Sequence, residues 1–224
     1  MFQKYKKIIF ITLFALVGFG LMQIPFTTII GSSLKFSLFD FYGPIAAGFI
    51  GSTWGVVTVL IMQLANWALH GFSMDTATLI RFLPMIFAAL YFAKKSPLNI
   101  AVPMIAMFAF WLQPEGQKAW YYALYWLIPM AMYFFRERSL LARALGTTFT
   151  AHAVGGALWA WLLPMPAAVW ISLIPVVWKE RGLMAIGITL TFIVFNYVFA
   201  LLNKKFHWLD FVHTNKKYLL GIKQ

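Results

Sequence analysis

Cysteine is absent from the 224 residues, and aspartate and glutamate together number only six. Without a thiol, the chain has no disulfide bond, no thiolate metal site and no thiol nucleophile. The six acidic residues all lie in loops or at the ends of apolar segments. The sequence therefore shows no carboxylate pair at membrane depth, the arrangement that a proton-coupled carrier uses.

Common catalytic motifs are also missing from the sequence. It contains no HExxH, no GxSxG and no Walker-type glycine loop, and its four histidines do not have the spacing of a metal site. We therefore predict that the protein is not an enzyme and that it holds no cofactor or metal. A membrane-embedded enzyme acting on lipids stays as a weaker alternative.

Charged residues make up 11% of the chain, against about 25% in a soluble domain. Hydrophobic residues make up 62%, the mean hydropathy is +0.79, and apolar runs long enough to cross a bilayer recur along the whole length. This composition predicts an all-α fold, a polytopic transmembrane helical bundle of about seven spans, within a range of about six to eight. We place it in the plasma membrane.

The predicted domain organisation is simple. Residues 1–205 are assigned to one integral membrane domain, and residues 206–224 to a basic tail at the membrane interface. The basic N-terminus resembles a signal peptide, but the apolar run that follows is too long, so we interpret it as a retained span.

The predicted spans follow apolar runs that are bounded by charged, glycine or proline residues. They are Ile8–Ile30, Gly43–Leu69, Leu79–Ala93, Leu98–Leu112, Trp120–Phe135, Leu145–Leu163 and Leu183–Leu202. Pro25 is expected to kink the first span. Ala167–Trp178 is apolar but short, which indicates a tilted span or a re-entrant piece.

The net charge of +12 comes from basic residues that cluster beside apolar segments. The clusters are Lys4 to Lys7, Lys94 and Lys95, Arg136 to Arg143, Lys179 and Arg181, Lys204 and Lys205, and Lys216 and Lys217. This placement indicates a topology signal and contact with lipid headgroups, not nucleic-acid binding. Three predicted spans separate Lys7 from Lys94, so the charge rule leaves the orientation undecided.

Small residues recur every fourth position in the second predicted span. They are Gly43, Ala47, Gly51 and Gly55. On one continuous helix, these residues form a stripe that allows close approach of a neighbouring helix. We therefore predict a helix-packing role for them.

The same predicted span ends with a polar line, Gln63, Asn66 and His70, with Asp75 and Arg81 just after it. Spacings of three and four place the first three side chains on one face of a helix. Polar groups at membrane depth face protein or a wet cavity, so these residues are candidates for ligand binding. Hydrogen bonds between helices are an equally simple explanation for Gln63 and Asn66, and His70 also suits an interfacial position.

A second polar group lies in the segment GTTFTAHAVGG, where Thr148 and His152 are one helical turn apart. His152 is surrounded by apolar and small residues, which favours a position on a ligand cavity over that of a satisfied structural histidine. Trp159 follows in the same segment, and its ring is suited to stacking on a planar ligand.

Two stretches resemble a known family. FDFYGPIAAGFIGSTWG, residues 39–55, resembles part of the S components, the small substrate-binding membrane subunits of energy-coupling-factor vitamin transporters. AHAVGGALWAWLLP, residues 151–164, is followed by a short aromatic helix and then by Lys179 and Glu180. That order is similar to S components of the thiamine and queuosine-precursor type, which have a His-x-x-x-Gly helix and a Glu near the start of the last helix.

The resemblance implies a helical bundle that binds a vitamin-like small molecule beneath the loop after the first span. Carried over residue by residue, it assigns His152 and Glu180 to the pocket. It implies docking on a transmembrane coupling subunit that is driven by two ATP-binding subunits. One departure concerns docking: the family often has Ala-x-x-x-Ala on its first helix, whereas here Ala15 is followed four positions later by Phe19.

Two classes of function therefore remain as alternatives to a membrane-embedded enzyme, namely an importer subunit and a scaffold or assembly protein. An importer subunit predicts a cavity that includes His152. A scaffold or assembly protein predicts no cavity, with His152, Asn66 and Gln63 bonded to one another.

Overall fold

The computed structural model describes residues 2–28, 35–163 and 165–219. About 80% of these residues are helical and very few form strands, which confirms the all-α prediction. The helices in chain order are α1 (Phe2–Met22), α2 (Phe39–Tyr42), α3 (Ile45–Ile50), α4 (Ser52–Leu69), α5 (Thr76–Ile80), α6 (Phe82–Ala93), α7 (Leu98–Leu112), α8 (Pro114–Lys118), α9 (Leu127–Phe135), α10 (Leu140–Leu162) and α11 (Ala167–Phe206).

Smaller elements complete the described part of the chain. The strands β1 (Pro25–Thr28) and β2 (Lys35–Ser37) pair antiparallel after α1. A 3-10 helix, Trp120–Trp126, leads into α9, and a second one, Lys216–Tyr218, lies near the C-terminus.

Four helical stretches are long and apolar enough to cross a membrane. They are residues 5–22 of α1, the whole of α4, the joined α5 and α6 from Thr76 to Ala93, and α11. This finding fits a membrane protein. Leu98–Leu112 is apolar as well but shorter.

The single helix predicted over residues 43–69 is wrong, because the chain turns at Gly51. Its φ of +82° with ψ of 167° is a backbone conformation that essentially only glycine adopts. α4 then folds back along α3, so closely that a Cβ added to Gly55 would lie 2.2 Å from the Cα of Ala47. The small residues thus pack two consecutive helices against each other and do not form one stripe on one helix.

The first predicted span, Ile8–Ile30, is also corrected. α1 begins at Phe2 and ends at Met22, and Pro25 begins strand β1 where a kinked helix was expected. Proline lacks a backbone N–H and restricts the residue before it, which favours extended backbone at this point. Residues 29 and 30 of the predicted span lie outside the described residues.

The predicted separation of Ala167–Trp178 from Leu183–Leu202 is wrong, since α11 is continuous over 40 residues. At 1.5 Å per residue its length is about 60 Å, roughly twice the thickness of the hydrocarbon core. Lys179, Glu180 and Arg181 lie inside this helix. Arg181 is only 6% exposed, so its charged side chain lies inside the protein, and the helix continues past it.

Arg136 and Arg143 do not serve as solvent-facing topology signals. The guanidinium of Arg143 donates to the carbonyl oxygens of Phe92 (2.5 Å) and Ala93 (2.8 Å). That of Arg136 donates to the carbonyls of Tyr91 (2.5 Å) and Lys94 (2.8 Å). Carbonyls at a helix C-terminus have no partner in their own helix, and cations there are favourable, so both arginines cap α6.

The remaining basic clusters meet at one end of the bundle. Lys6 Nζ donates to the carbonyl of His207 (3.4 Å), which joins the start of α1 to the end of α11. Lys7 Nζ lies 4.6 Å from the ring centre of Trp54, at the start of α4. Lys217 Nζ donates to the carbonyl of Arg138 (2.7 Å) between α9 and α10. We call this the basic end.

The turn at Gly51 explains how Lys7 and Lys94 come to the same end. α3 returns toward the basic end and α4 leaves it again, so residues 43–69 make two passes where one was predicted. The short α3 is shielded by protein: Ile45 and Phe49 are both 0% exposed. Irregular backbone at membrane depth is tolerated in such buried positions.

Residues 206–224 were predicted to form a tail at the membrane interface. The described part of this tail, residues 206–219, packs on the helical bundle. Leu209 and Val212 are buried. The backbone N–H of His213 donates to the carbonyl of Phe49 (2.8 Å), and the amide of Asn196 forms two hydrogen bonds with the backbone of Asn215. Residues 220–224 lie outside the described residues.

Candidate functional site

A cavity of about 660 Å³ lies at the end of the bundle opposite the basic end. Its walls come from strands β1 and β2, the C-terminal half of α4, the α5–α6 junction, α10 and the first half of α11. This volume is within the range of about 300–1,000 Å³ that small-molecule sites occupy.

Six of the seven side chains predicted to bind a ligand line this cavity. They are Gln63, Asn66, His70, His152, Trp159 and Glu180. The seventh, Thr148, is buried next to the cavity wall, with its hydroxyl 3.5 Å from Nη1 of Arg181 and 3.6 Å from the sulfur of Met184. The structure therefore brings together residues from three distant parts of the chain.

The polar line on α4 connects that helix to its neighbours. Gln63 Nε2 donates to the carbonyl of Arg81 (3.0 Å), and Asn66 Oδ1 accepts from Gln23 Nε2 (2.9 Å) at the end of α1. His70 Nδ1 is 2.8 Å from the carbonyl of Asn66. Each side chain thus has a structural partner and also borders the cavity.

His152 is held by two aromatic side chains of the 3-10 helix Trp120–Trp126. The indole Nε1 of Trp126 donates to Nδ1 (3.0 Å), and the hydroxyl of Tyr122 lies 2.9 Å from Nε2. An indole N–H is only a donor, so Nδ1 carries no proton. The neutral ring then carries its proton on Nε2 and donates it to the Tyr122 oxygen, an assignment made from the hydrogen-bond network.

The hydrogen-bond partners of Gln63, Asn66 and His152 differ from those that the scaffold hypothesis predicts. Gln63 bonds the α5–α6 junction, Asn66 bonds α1, and His152 bonds Tyr122 and Trp126. None of these bonds joins the three residues to one another in the described part of the chain.

Four site residues were missed or misassigned from the sequence. Arg181, interpreted as a topology signal, lines the cavity, with its guanidinium 3.5 Å from Glu180 and 4.7 Å from the ring centre of Phe36. Asp40 was assigned to a loop, but it also borders the cavity and accepts from the backbone N–H of Ser37 (2.8 Å). Tyr122 and Trp170, which also line the cavity, were not singled out from the sequence as site residues.

For two of these four residues, Trp170 and Arg181, the spacing of buried positions along α11 is a signal in the sequence. Trp170, Val177, Arg181 and Met184 follow one another at intervals of seven, four and three residues and are all buried. Such intervals mark one face of a helix. The signal is hidden when the helix is assumed to end at residue 178.

Three buried polar atoms have no hydrogen-bond partner among the described residues, and all three belong to side chains that line the cavity. They are Gln63 Oε1, Trp170 Nε1 and Arg181 Nε. Buried polar groups are nearly always paired, so each unpaired one calls for an explanation.

Asp75 lies outside the spans, just before α5. It accepts hydrogen bonds from the hydroxyl of Ser73, from the hydroxyl of Thr78 (2.7 Å) and from the backbone N–H of Thr78 (2.8 Å). These bonds stabilise the carboxylate and lower the pKa of Asp75 to about 2. Asp75 thus caps α5.

In the described ranges, no group of three or more His, Asp and Glu side chains is placed to hold a metal ion.

Comparisons with known proteins add little. No protein-family model and no solved structure matches the chain. An uncharacterized protein of Methanocaldococcus jannaschii is 25% identical over 205 residues, which cover 82% of this chain and 69% of that protein. That relative is itself uncharacterized, so it supplies no activity for comparison.

Proposed function

We propose that the chain is the substrate-binding integral membrane subunit of an energy-coupling-factor importer for a vitamin-like small molecule. The observation that carries this proposal is the convergence of Gln63, Asn66, His152 and Glu180 on one cavity of about 660 Å³. All four are residues that the sequence predicts to bind a ligand. Mostly apolar walls with a few polar groups suit a small ligand.

The position of strands β1 and β2 supports the expected cap over the ligand. Arg81 Nη2 donates to the carbonyl of Lys35 in β2 (2.8 Å), and Phe36 of β2 stacks on the guanidinium of Arg181. Lys35 and Phe36 both line the cavity. Strands β1 and β2 thus border the site on the side where the resemblance to S components implies a capping loop.

We infer eight passes between the two ends of the bundle: α1, the α2–α3 limb, α4, α5–α6, α7, the 3-10 helix with α9, α10 and α11. The short α2–α3 limb returns the chain to the basic end between α1 and α4. Lys and Arg near the spans favour the cytoplasmic side, so the basic end faces the cytoplasm of the plasma membrane. The cavity then faces outward, as an importer subunit requires.

The partners of this function are a transmembrane coupling subunit and two ATP-binding subunits. The small residues of α1 are used partly inside the bundle: a Cβ at Gly18 would lie 2.1 Å from the sulfur of Met62. Gly20 has open space around it and is exposed, so α1 keeps a small-residue position on its outer surface. Affinity purification of the tagged chain from its own membrane is expected to recover these three partners.

The direct test is a thermal-shift screen of detergent-purified protein against a panel of vitamins and nucleobases. A ligand at one hundred times its dissociation constant stabilises the fold by about 2.7 kcal/mol. The variant Gly155→Leu fills the cavity, because Gly155 lines it and a Cβ there makes only ordinary contact with Pro84 at 3.4 Å. Its matched control is Gly20→Leu on the exposed surface of α1.

We expect a hit with the wild type and with Gly20→Leu, and no shift with Gly155→Leu. A shift that survives in Gly155→Leu would place binding outside the cavity. A folded wild type that responds to no member of the panel would count against an importer subunit for vitamins and in favour of a scaffold.

A further inference from the structure

The hydrogen-bonding groups of the cavity lining define which chemistry a ligand has to bring, and this inference rests on the proposed solute-binding function. Gln63, Trp170 and Arg181 are 9%, 2% and 6% exposed, and each has one polar atom without a partner in the described residues. Two of these atoms are donors, Trp170 Nε1 and Arg181 Nε. The third, Gln63 Oε1, is an acceptor.

Arg181 is the least satisfied of the three. A guanidinium has five N–H donors, yet the bonds to Glu180 and Thr148 are both 3.5 Å long. That length is beyond the usual range of about 2.7–3.2 Å for an N–H donor and oxygen. The guanidinium also lies against the ring of Phe36, 4.7 Å from its centre. A carboxylate or phosphate oxygen is the strongest partner for such a group.

Tyr122 supplies a further donor. Its oxygen accepts the Nε2 proton of His152, so its own hydroxyl proton is free to point elsewhere. Its ring centre lies 5.1 Å from that of Trp170. Trp170 is about three helical turns from Arg181 along α11. The Tyr122–Trp170 pair therefore meets a different part of the ligand from the part that meets Arg181.

The charges of the lining favour an anion. Lys35, Arg81 and Arg181 are cationic, while Asp40 and Glu180 are anionic. One positive charge is in excess when the histidines are neutral. An anionic group on the ligand offsets this charge.

We propose that the cavity binds a small organic anion with a planar body. Its carboxylate or phosphate group accepts hydrogen bonds from Arg181, an acceptor on its body meets Trp170 and Tyr122, and an N–H or O–H group donates to Gln63. The aromatic side chains Trp67 and Trp159 in the lining contact the planar body.

The test uses two matched probe pairs, titrated into the purified full-length chain by isothermal calorimetry. One pair is 4-hydroxybenzoate with 4-hydroxybenzamide, and the other is 4-hydroxyphenyl phosphate with hydroquinone. We expect the anion of at least one pair to bind at least tenfold more tightly than its neutral counterpart. The pair that shows the preference distinguishes a carboxylate from a phosphate.

Arg181→Gln is expected to remove the preference, and Lys179→Gln to retain it. Both changes delete one positive charge on α11, but Lys179 is exposed and does not line the cavity. If Arg181→Gln does not fold, two milder variants test the anion proposal in its place. Arg181→Lys keeps the charge without the planar fork and is expected to weaken anion binding several-fold, and Trp170→Phe removes one donor and is expected to weaken both members of a pair.

Neutral probes that bind as tightly as their anions would overturn the anion proposal, as would a preference that survives in Arg181→Gln. In that case, loss of binding in Gly155→Leu would leave the solute-binding function standing. If no probe of either pair binds the folded wild type, the anion proposal fails, whereas the solute-binding function is decided separately by the vitamin and nucleobase panel.

Discussion

The indole nitrogen of Trp126 donates a hydrogen bond to Nδ1 of His152, 3.0 Å away, and thereby sets which nitrogen of the imidazole carries the proton. Trp126 is fully buried, and Tyr122, on the other side of the ring, is 2% exposed. The orientation of His152 at the cavity wall is therefore determined by two residues that precede it by 26 and 30 positions.

Replacing His152 by alanine should destabilise the protein as well as alter the site. The change leaves the Trp126 N–H without its acceptor, and a buried donor left unpaired costs about 1–3 kcal/mol. Thermal unfolding in detergent measures the effect. His70→Ala is the control, because His70 is exposed and its loss should stay within about 0.5 kcal/mol. Equal effects of the two changes would contradict the network described for His152.

Gly51→Ala should destabilise the protein although nothing lies within 4 Å of the added Cβ. The cost comes from the backbone, because a positive φ of this kind costs a residue with a side chain about 1–3 kcal/mol. Gly182→Ala is the matched control: its Cβ also meets open space, but Gly182 lies within helix α11. Alanine there should be neutral or stabilising by up to about 1 kcal/mol. The same loss of stability at both positions would refute the turn at Gly51.

Arg143→Gln should weaken the C-terminus of α6. It removes two charge-assisted hydrogen bonds to the carbonyls of Phe92 and Ala93, and a bond to a charged group contributes about 1.5–3 kcal/mol. Arg138→Gln removes the same charge from an exposed position in the same segment, and should change stability by less than about 0.5 kcal/mol. If both variants have the melting temperature of the wild type, Arg143 does not cap α6.

The cap at Asp75 predicts a pH dependence of stability. The pKa of Asp75 is lowered from 3.8 to about 2 in the folded protein, so its carboxylate stabilises the fold above pH 3.8. That stabilisation is lost as the pH falls from 3.8 through about 2. The difference in melting temperature between the wild type and Asp75→Asn should therefore be constant at neutral pH and shrink across this acidic window. A difference in melting temperature that increases as the pH falls would contradict the cap.

The absence of native cysteine makes the proposed orientation directly measurable. A single cysteine at Lys118, beside the cavity end, should react with a membrane-impermeant maleimide on intact cells. One at Lys94, at the basic end, should react only after permeabilisation. Both lysines are exposed, and the wild type, which has no thiol, gives the background. The reverse labelling pattern would turn the cavity toward the cytoplasm and exclude uptake from outside.

The helical fold, with helices long and apolar enough to cross a membrane, was predictable from the sequence, because it depends on local properties. Long apolar runs and few charges indicate helices in a bilayer without any knowledge of contacts. The polar line on α4 was found by spacing alone, and so was the pair of Thr148 and His152, since helical periodicity is local as well. The spacing made Gln63 and His152 candidates for a cavity wall but left structural roles open for both, and it did not reveal their hydrogen-bond partners.

The tertiary structure decided where the chain turns and which charges face inward. Residues 43–69 have the composition of one span, and only the packing of Gly55 on Ala47 reveals the turn between two helices. Arg181 has the sequence context of a topology signal, yet it is buried through contacts with Phe36 and Thr148, which are more than thirty residues away in sequence. Such contacts depend on how distant segments pack, and no local pattern encodes them.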